Sequence, residues 1–183
     1  DSRGAAPKRQ QAAAFAYVKI SDGCDRFCSY CTIPYIRGRY HSFSFEEVLR
    51  DVRLAVDAGV REIVLIGQDT GLWGSDLSET DSLATLLGRL ADLFPDTWFR
   101  AMYTQPENVT DELLEAMAAH DNVAPYLDIP LQHCVGRILA AMNRTGSRDG
   151  FMRMLEEARC AVPGLAVRTT LIAGFPGETE DDF

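Results

Sequence analysis

Apolar positions along the chain follow two alternating patterns. Glu62-Ile63-Val64-Leu65-Ile66 is nearly continuous in apolar residues, as a strand covered on both faces of a parallel sheet requires. Ahead of it, Val48, Leu49, Val52, Leu54, Ala55 and Val56 give an apolar helical face behind an N-capping Ser44. Glu46 and Glu47 occupy the first turn of that helix and Gly59 closes it. Phe15 to Ile20 alternates loosely and is rich in aromatic and β-branched side chains, which predicts a first strand. Downstream the pattern predicts a helix over Ser82 to Leu93, a strand over Trp98 to Met102 and a helix capped by Thr110. A strand over Pro125 to Ile129, helices over Gly136 to Met142 and Arg148 to Val162, and a fifth strand over Ala166 to Ala173 complete it.

Five strands alternating with helices at this spacing predict an α/β fold with a parallel sheet and right-handed crossovers. Chemistry in such folds collects on the loops just after the strands. Asp1 to Ala14 has no apolar period and reads as a linker from something upstream, leaving residues 15–183 as one domain. Ile33 to Gly38 is too short and punctuated for a regular element and reads as a functional loop.

Composition narrows the picture only a little. A chain of 183 residues that is 46% hydrophobic can build one sizeable core. No apolar run approaches the roughly 18 residues of a membrane span, so no membrane partner is expected. The net charge of −9 argues against nucleic-acid binding through a general basic surface. Arg26, Arg37 and Arg39 nevertheless concentrate positive charge around one loop.

That loop, Gly23-Cys24-Asp25-Arg26-Phe27-Cys28-Ser29-Tyr30-Cys31, holds three of the five cysteines directly after the first strand. A disulfide framework fits poorly, because three thiols leave one unpaired. Three thiolates at spacings of four and three can converge on one inorganic centre, and iron-sulfur clusters select thiolate. A [4Fe–4S] cubane held by Cys24, Cys28 and Cys31 keeps one iron open to a chelating amino acid. The alternatives are a structural zinc site with His41 as fourth ligand, a redox pair of Cys28 and Cys31, and an electron-transfer cluster using Cys134. Cys134 and Cys160 are otherwise read as buried, inert thiols. Thiols kept reduced imply the cytoplasm.

Cys-x3-Cys-x2-Cys with Tyr30 before the third cysteine resembles the signature of the radical S-adenosylmethionine superfamily. The resemblance implies a partial (β/α) barrel, here stopping before its last strand. It also implies a [4Fe–4S] cluster on the three cysteines, S-adenosylmethionine on the open iron, and Tyr30 near the adenine. Gly67-Gln68-Asp69 occupies the place of the family's glycine-rich segment for the cofactor's amino group, though with glutamine and aspartate where glycine and glutamate are commoner. Thr170 to Thr179, with Ile172 and Gly174, is similar to the segment against which the adenine packs. Arg168, expected to be buried on the fifth strand, is a candidate for the cofactor carboxylate, with a protein carboxylate as the other partner. Gln132 and His133 are candidates for ribose or substrate.

Within the superfamily, Asp128-Ile129-Pro130-Leu131-Gln132-His133 and Met142-Asn143-Arg144 resemble the methylthiotransferases of the RimO type. That implies thiomethylation of an aspartate in a small-subunit ribosomal protein, through a 5'-deoxyadenosyl radical that takes hydrogen from an unactivated carbon. The sister MiaB type, acting on transfer RNA, is the alternative. A low-potential electron donor is implied. Full-length members add an upstream domain with a second [4Fe–4S] cluster and a downstream β domain. The sequence is therefore expected to be a catalytic core that does not complete thiomethylation alone.

Overall fold

The computed structural model describes residues 13–183, so the linker expected over residues 1–14 lies, but for its last two residues, outside the described part. Strands β1 (Phe15–Lys19), β4 (Glu62–Ile66) and β5 (Trp98–Ala101) pair in parallel, with Phe15 beside Glu62 and Glu62 beside Trp98. Phe99 then meets Val123 in a single parallel bridge, and β6 (Tyr126–Asp128) pairs in parallel with β7 (Ala166–Arg168). Strand neighbours thus follow chain order around a partial barrel, as the alternating pattern predicts.

The four longer helices form where a cap and an apolar face call for them. Ser44 opens α2 (Phe45–Asp57) with a reciprocal capping box, its hydroxyl accepting from Glu47 N–H while the Glu47 carboxylate accepts from Ser44 N–H. Ser82 does the same for α3 (Leu83–Leu93) with Thr85. Thr110 caps α4 (Asp111–Ala119) and Ser147 caps α6 (Arg148–Ala161). The helices bury Val48, Val52, Leu86, Leu87, Leu90 and Leu113 against Ile63, Leu65 and Phe99 of the sheet. A fully buried ring such as Phe99 contributes about 2–3 kcal/mol through area removed from water.

Four local features differ from the sequence expectation. Ile33–Arg37 is a short helix, α1, because Pro34 falls in the first turn, where its missing N–H costs nothing. Ser21–Asp22 (β2) and His41–Ser42 (β3) form an antiparallel ribbon, too short for any period to reveal. The fifth predicted strand ends at Arg168, and the chain rejoins the sheet only where Leu171 bridges Gln132. Arg168 is half exposed rather than buried. Among the described residues no helix is long and apolar enough to cross a membrane.

Candidate active site

The β2–β3 ribbon is the neck of the cysteine loop. Gly23 enters it at φ +74°, and a Cβ there would sit 2.1 Å from the Arg39 carbonyl oxygen. Cys24 N–H donates to Gly38 O at 3.2 Å, and Asp25 accepts from Tyr40 N–H at 3.2 Å. The loop is therefore closed at its base before the first cysteine is placed. Gly23→Ala, with a left-handed backbone costing about 1–2 kcal/mol in addition to the clash, is expected to open this neck and lower the iron retained after reconstitution, measured by iron assay.

Two further ties hold the loop to the barrel. Arg26 Nε donates to Asp69 Oδ2 at 2.8 Å and Arg26 Nη1 lies 3.3 Å from Glu107 Oε1, while Asn108 Nδ2 donates to the other Asp69 oxygen at 3.1 Å. Burial pushes the Asp69 carboxyl up, against Arg26 and Asn108, which hold it down. Burial alone would lower the Arg26 guanidinium, but Asp69 more than reverses this and keeps it charged. On the other side, the C-terminal end of α5 (Gly136–Ala141) grips the loop. Asn143 Nδ2 donates to Arg26 O at 3.1 Å and to Phe27 O at 3.0 Å. Ser29 N–H and Oγ donate to the Met142 and Ala141 carbonyls at 3.1 and 2.9 Å.

Asn143 sits at φ +56°, which asparagine and glycine tolerate and alanine does not. Asn143→Gly keeps that backbone and removes both side-chain bonds. Iron release to a chelator is expected to accelerate about tenfold, equivalent to one or two lost hydrogen bonds.

These ties arrange Cys24, Cys28 and Cys31, all free and half-buried, along a cavity of about 340 Å³. Its other walls come from the ends of successive strands: Gly67 and Gln68 after β4, Tyr103 and Gln105 after β5, Pro130 and Gln132 after β6. Thr170 after β7 and Arg144 after α5 complete it. This is the strand end at which parallel α/β folds carry their sites. Among the described residues, four non-glycine residues have positive φ, and all belong to this region: Phe27 in the loop, Tyr103 and Gln132 in the wall, and Asn143 beside Arg144. Strained backbone of this kind persists where the surroundings over-determine it, and it clusters at functional sites.

Of the residues singled out in the sequence, the three cysteines, Tyr30, Gly67, Gln68 and Gln132 line the cavity. Burial and the adjacent Cys28 push Tyr30 up to about 12, so it presents a neutral phenol. Burial also pushes the Cys24 thiol up. Gly67 is glycine for a packing reason: a Cβ there would lie 2.3 Å from Ser21 Oγ.

Asp69 lies behind the wall as the partner of Arg26. Arg168 Nη1 donates to both Asp128 oxygens, at 3.0 and 3.1 Å, outside the cavity wall, which is the protein-carboxylate partner among the two expected. Ile172 lines a separate pocket of about 110 Å³ with His133 and Glu178, and Gly174 lines neither. His133 accepts from Val135 N–H at its Nδ1 and turns its Nε2 toward Glu178. His41, in the ribbon, packs edge-to-face against Phe43 and is not among the lining residues, so the zinc alternative loses its fourth ligand. Cys134 and Cys160 are exposed, not buried. Sequence reasoning gave no role to Tyr103 or Gln105, for which the available signal was polar residues immediately following a strand, and it named Thr170 only within the adenine segment and Arg144 only within the Met142-Asn143-Arg144 resemblance.

The donor set fits a thiolate-ligated cluster. Among the described residues no three His, Cys, Asp or Glu side chains converge closely enough to hold a single metal ion. The three thiols share one cavity wall, and thiolate is the ligand that iron-sulfur clusters select. The wall also contains buried polar atoms with no partner, Gln68 Oε1 and Arg144 Nε, which suits a polar ligand.

A parallel partial barrel with three thiols at its strand ends defines a class, and comparison with known proteins identifies it: the radical SAM superfamily profile matches residues 18–183, and the chain belongs to that superfamily. Its cofactors are accordingly a [4Fe–4S] cluster and S-adenosylmethionine. The chain is 44% identical to the ribosomal protein uS12 methylthiotransferase RimO of Clostridium novyi, with 92% of this chain and 38% of that protein covered. It is 48% identical to the RimO of Syntrophus aciditrophicus, covering 92% and 37%. The chain thus spans less than two-fifths of the length of these curated relatives. In fold it is similar to the radical S-adenosylmethionine methyltransferase TsrM of Kitasatospora setae, solved with cobalamin and a [4Fe–4S] cluster, at TM-score 0.69 and 18% identity over 92% of this chain and 32% of that one. It is also similar to the cobalamin-dependent radical enzyme OxsB, at TM-score 0.67 and 14% identity over 85% and 23%.

Proposed function

We propose that this chain is the catalytic core of a methylthiotransferase that modifies an aspartate of ribosomal protein uS12. The observation that carries the proposal is the three-cysteine cavity at the strand ends of a chain 44% identical to a uS12 methylthiotransferase. When bound, the cluster and S-adenosylmethionine supply a one-electron cleavage that yields a radical able to take hydrogen from an unactivated carbon. The chain's own residues hold and shield that chemistry. Cys24, Cys28 and Cys31 would hold the cluster, and Arg26, Asp69 and Asn143 keep their loop rigid. Tyr30 stays a neutral phenol at the rim, and the walls after β4, β5 and β6 exclude water and align the acceptor carbon. A low-potential electron donor and the reducing cytoplasm complete the proposal.

The test uses the full-length protein that carries this segment, reconstituted anaerobically with iron and sulfide and given reductant, S-adenosylmethionine and uS12. Expected are 5'-deoxyadenosine release and a thiomethylated aspartate located by mass spectrometry. Modification of transfer RNA in place of uS12 would replace the substrate assignment, and a colourless protein that ignores the cofactor would end the proposal.

A further inference from the structure

We propose that Arg144 receives the carboxylate of the aspartyl acceptor and thereby selects aspartate, an inference that rests on the methylthiotransferase reading above.

Two arginines line the cavity, and their charges are not equivalent. Arg26 is matched by Asp69 at 2.8 Å and Glu107 at 3.3 Å. Arg144 has only neutral partners: its Nη2 donates to Gln105 Oε1 at 2.6 Å and to Pro130 O at 2.9 Å, the Tyr30 phenol lies against the guanidinium, and its Nε is buried with no partner. Among the described residues no carboxylate lies within ion-pair distance of it. A partly buried guanidinium with no carboxylate of the described residues beside it suits an anionic ligand, and its planar array of donors matches a carboxylate. The neutral acceptors fix the group against the wall formed by the loops after β5 and β6, so little conformational freedom remains to be lost on binding.

Two carboxylates can reach such a cavity, that of the cofactor's methionine moiety and that of the acceptor. The first is engaged by the open iron if the cofactor chelates the cluster through amine and carboxylate. The second stands one bond from the carbon that loses hydrogen, so anchoring it fixes the reacting C–H bond. An acceptor with asparagine at that position would leave Arg144 unmatched, which makes the residue a determinant of specificity.

Two matched ligand pairs test this on the reconstituted full-length protein. One pair is uS12 against uS12 carrying asparagine at the modified position; the other is S-adenosylmethionine against its decarboxylated analogue. Each is measured as a ratio of dissociation constants in wild type, Arg144→Lys and Arg144→Met, so a general loss of binding cancels. Wild type is expected to favour aspartate over asparagine about 10- to 100-fold. Arg144→Met should reduce that preference to about two- or threefold while the cofactor pair keeps its ratio, and Arg144→Lys should fall between. If Arg144→Met erases the cofactor pair's ratio instead, the carboxylate is the cofactor's and the proposal is overturned. If neither ratio changes, Arg144 serves the cluster or the loop alone, and the proposal is overturned as well. A wild-type protein that never modifies uS12 defeats the underlying reading itself, whereas wild-type modification with an unchanged ratio in Arg144→Met defeats only the role of Arg144.

Discussion

Alanine in place of Cys24, Cys28 or Cys31 is expected to reduce iron bound after anaerobic reconstitution from about four per chain to well below one and to bring cofactor cleavage to background. Each of the three thiols lines the same cavity. A fourth cysteine is not expected to compensate, because Cys134 and Cys160 are exposed and do not line that wall. Cys134→Ala and Cys160→Ala are therefore the controls, and both should retain the brown colour and the full iron content. The test has two parts because zinc competes for thiolate. For the 183-residue segment alone, metal analysis that finds one zinc and no iron in the wild type, or a Cys28→Ala variant that still binds four irons, would contradict the assignment of the cluster to this loop.

Asp69→Ala is expected to destabilise the apo chain by about 3 kcal/mol in chemical denaturation, the lower end of what removing one partner of a buried ion pair costs. Asp69 is fully buried and holds Arg26 and Asn108 together. Without it the Arg26 guanidinium, three-quarters buried, has only Glu107 at 3.3 Å. The low end applies because Arg26 retains some access to water. Asp69→Asn, which keeps the shape and loses the charge, should cost less. Combining Asp69→Ala with Arg26→Ala should recover part of the loss, since no charge is then left unmatched. A change below about 0.5 kcal/mol for Asp69→Ala would mean that the pair is a surface contact and that the loop is held elsewhere.

The Asp69 case also marks where sequence reading loses resolution. Gly67-Gln68-Asp69 was legible as a segment at the end of a strand, and its first two residues do face the cavity. The third residue turns behind the wall, and only its partner, 43 positions away at Arg26, shows what it does. Arg168 is similar: its place on a strand was legible, but its pairing depends on the register that sets Asp128 beside it. Arg144 carried no periodic signal at all. Its position follows from how the C-terminal end of α5 meets the cysteine loop, a contact between segments about 115 residues apart.

By itself the sequence determined the order of the main strands and helices, the helix caps at Ser44 and Thr110, and the three-cysteine loop. All of these are short-range properties: apolar period, side-chain bonds to a neighbouring turn, and three cysteines within eight residues. The tertiary structure alone decided which polar residues after the strands share the cavity, which arginine there is neutralised, and how the cysteine loop is fixed from both sides. Those outcomes depend on closing the parallel sheet into a partial barrel. Closure brings loops distant in the chain to one end and leaves each buried charge to find, or lack, a counterpart.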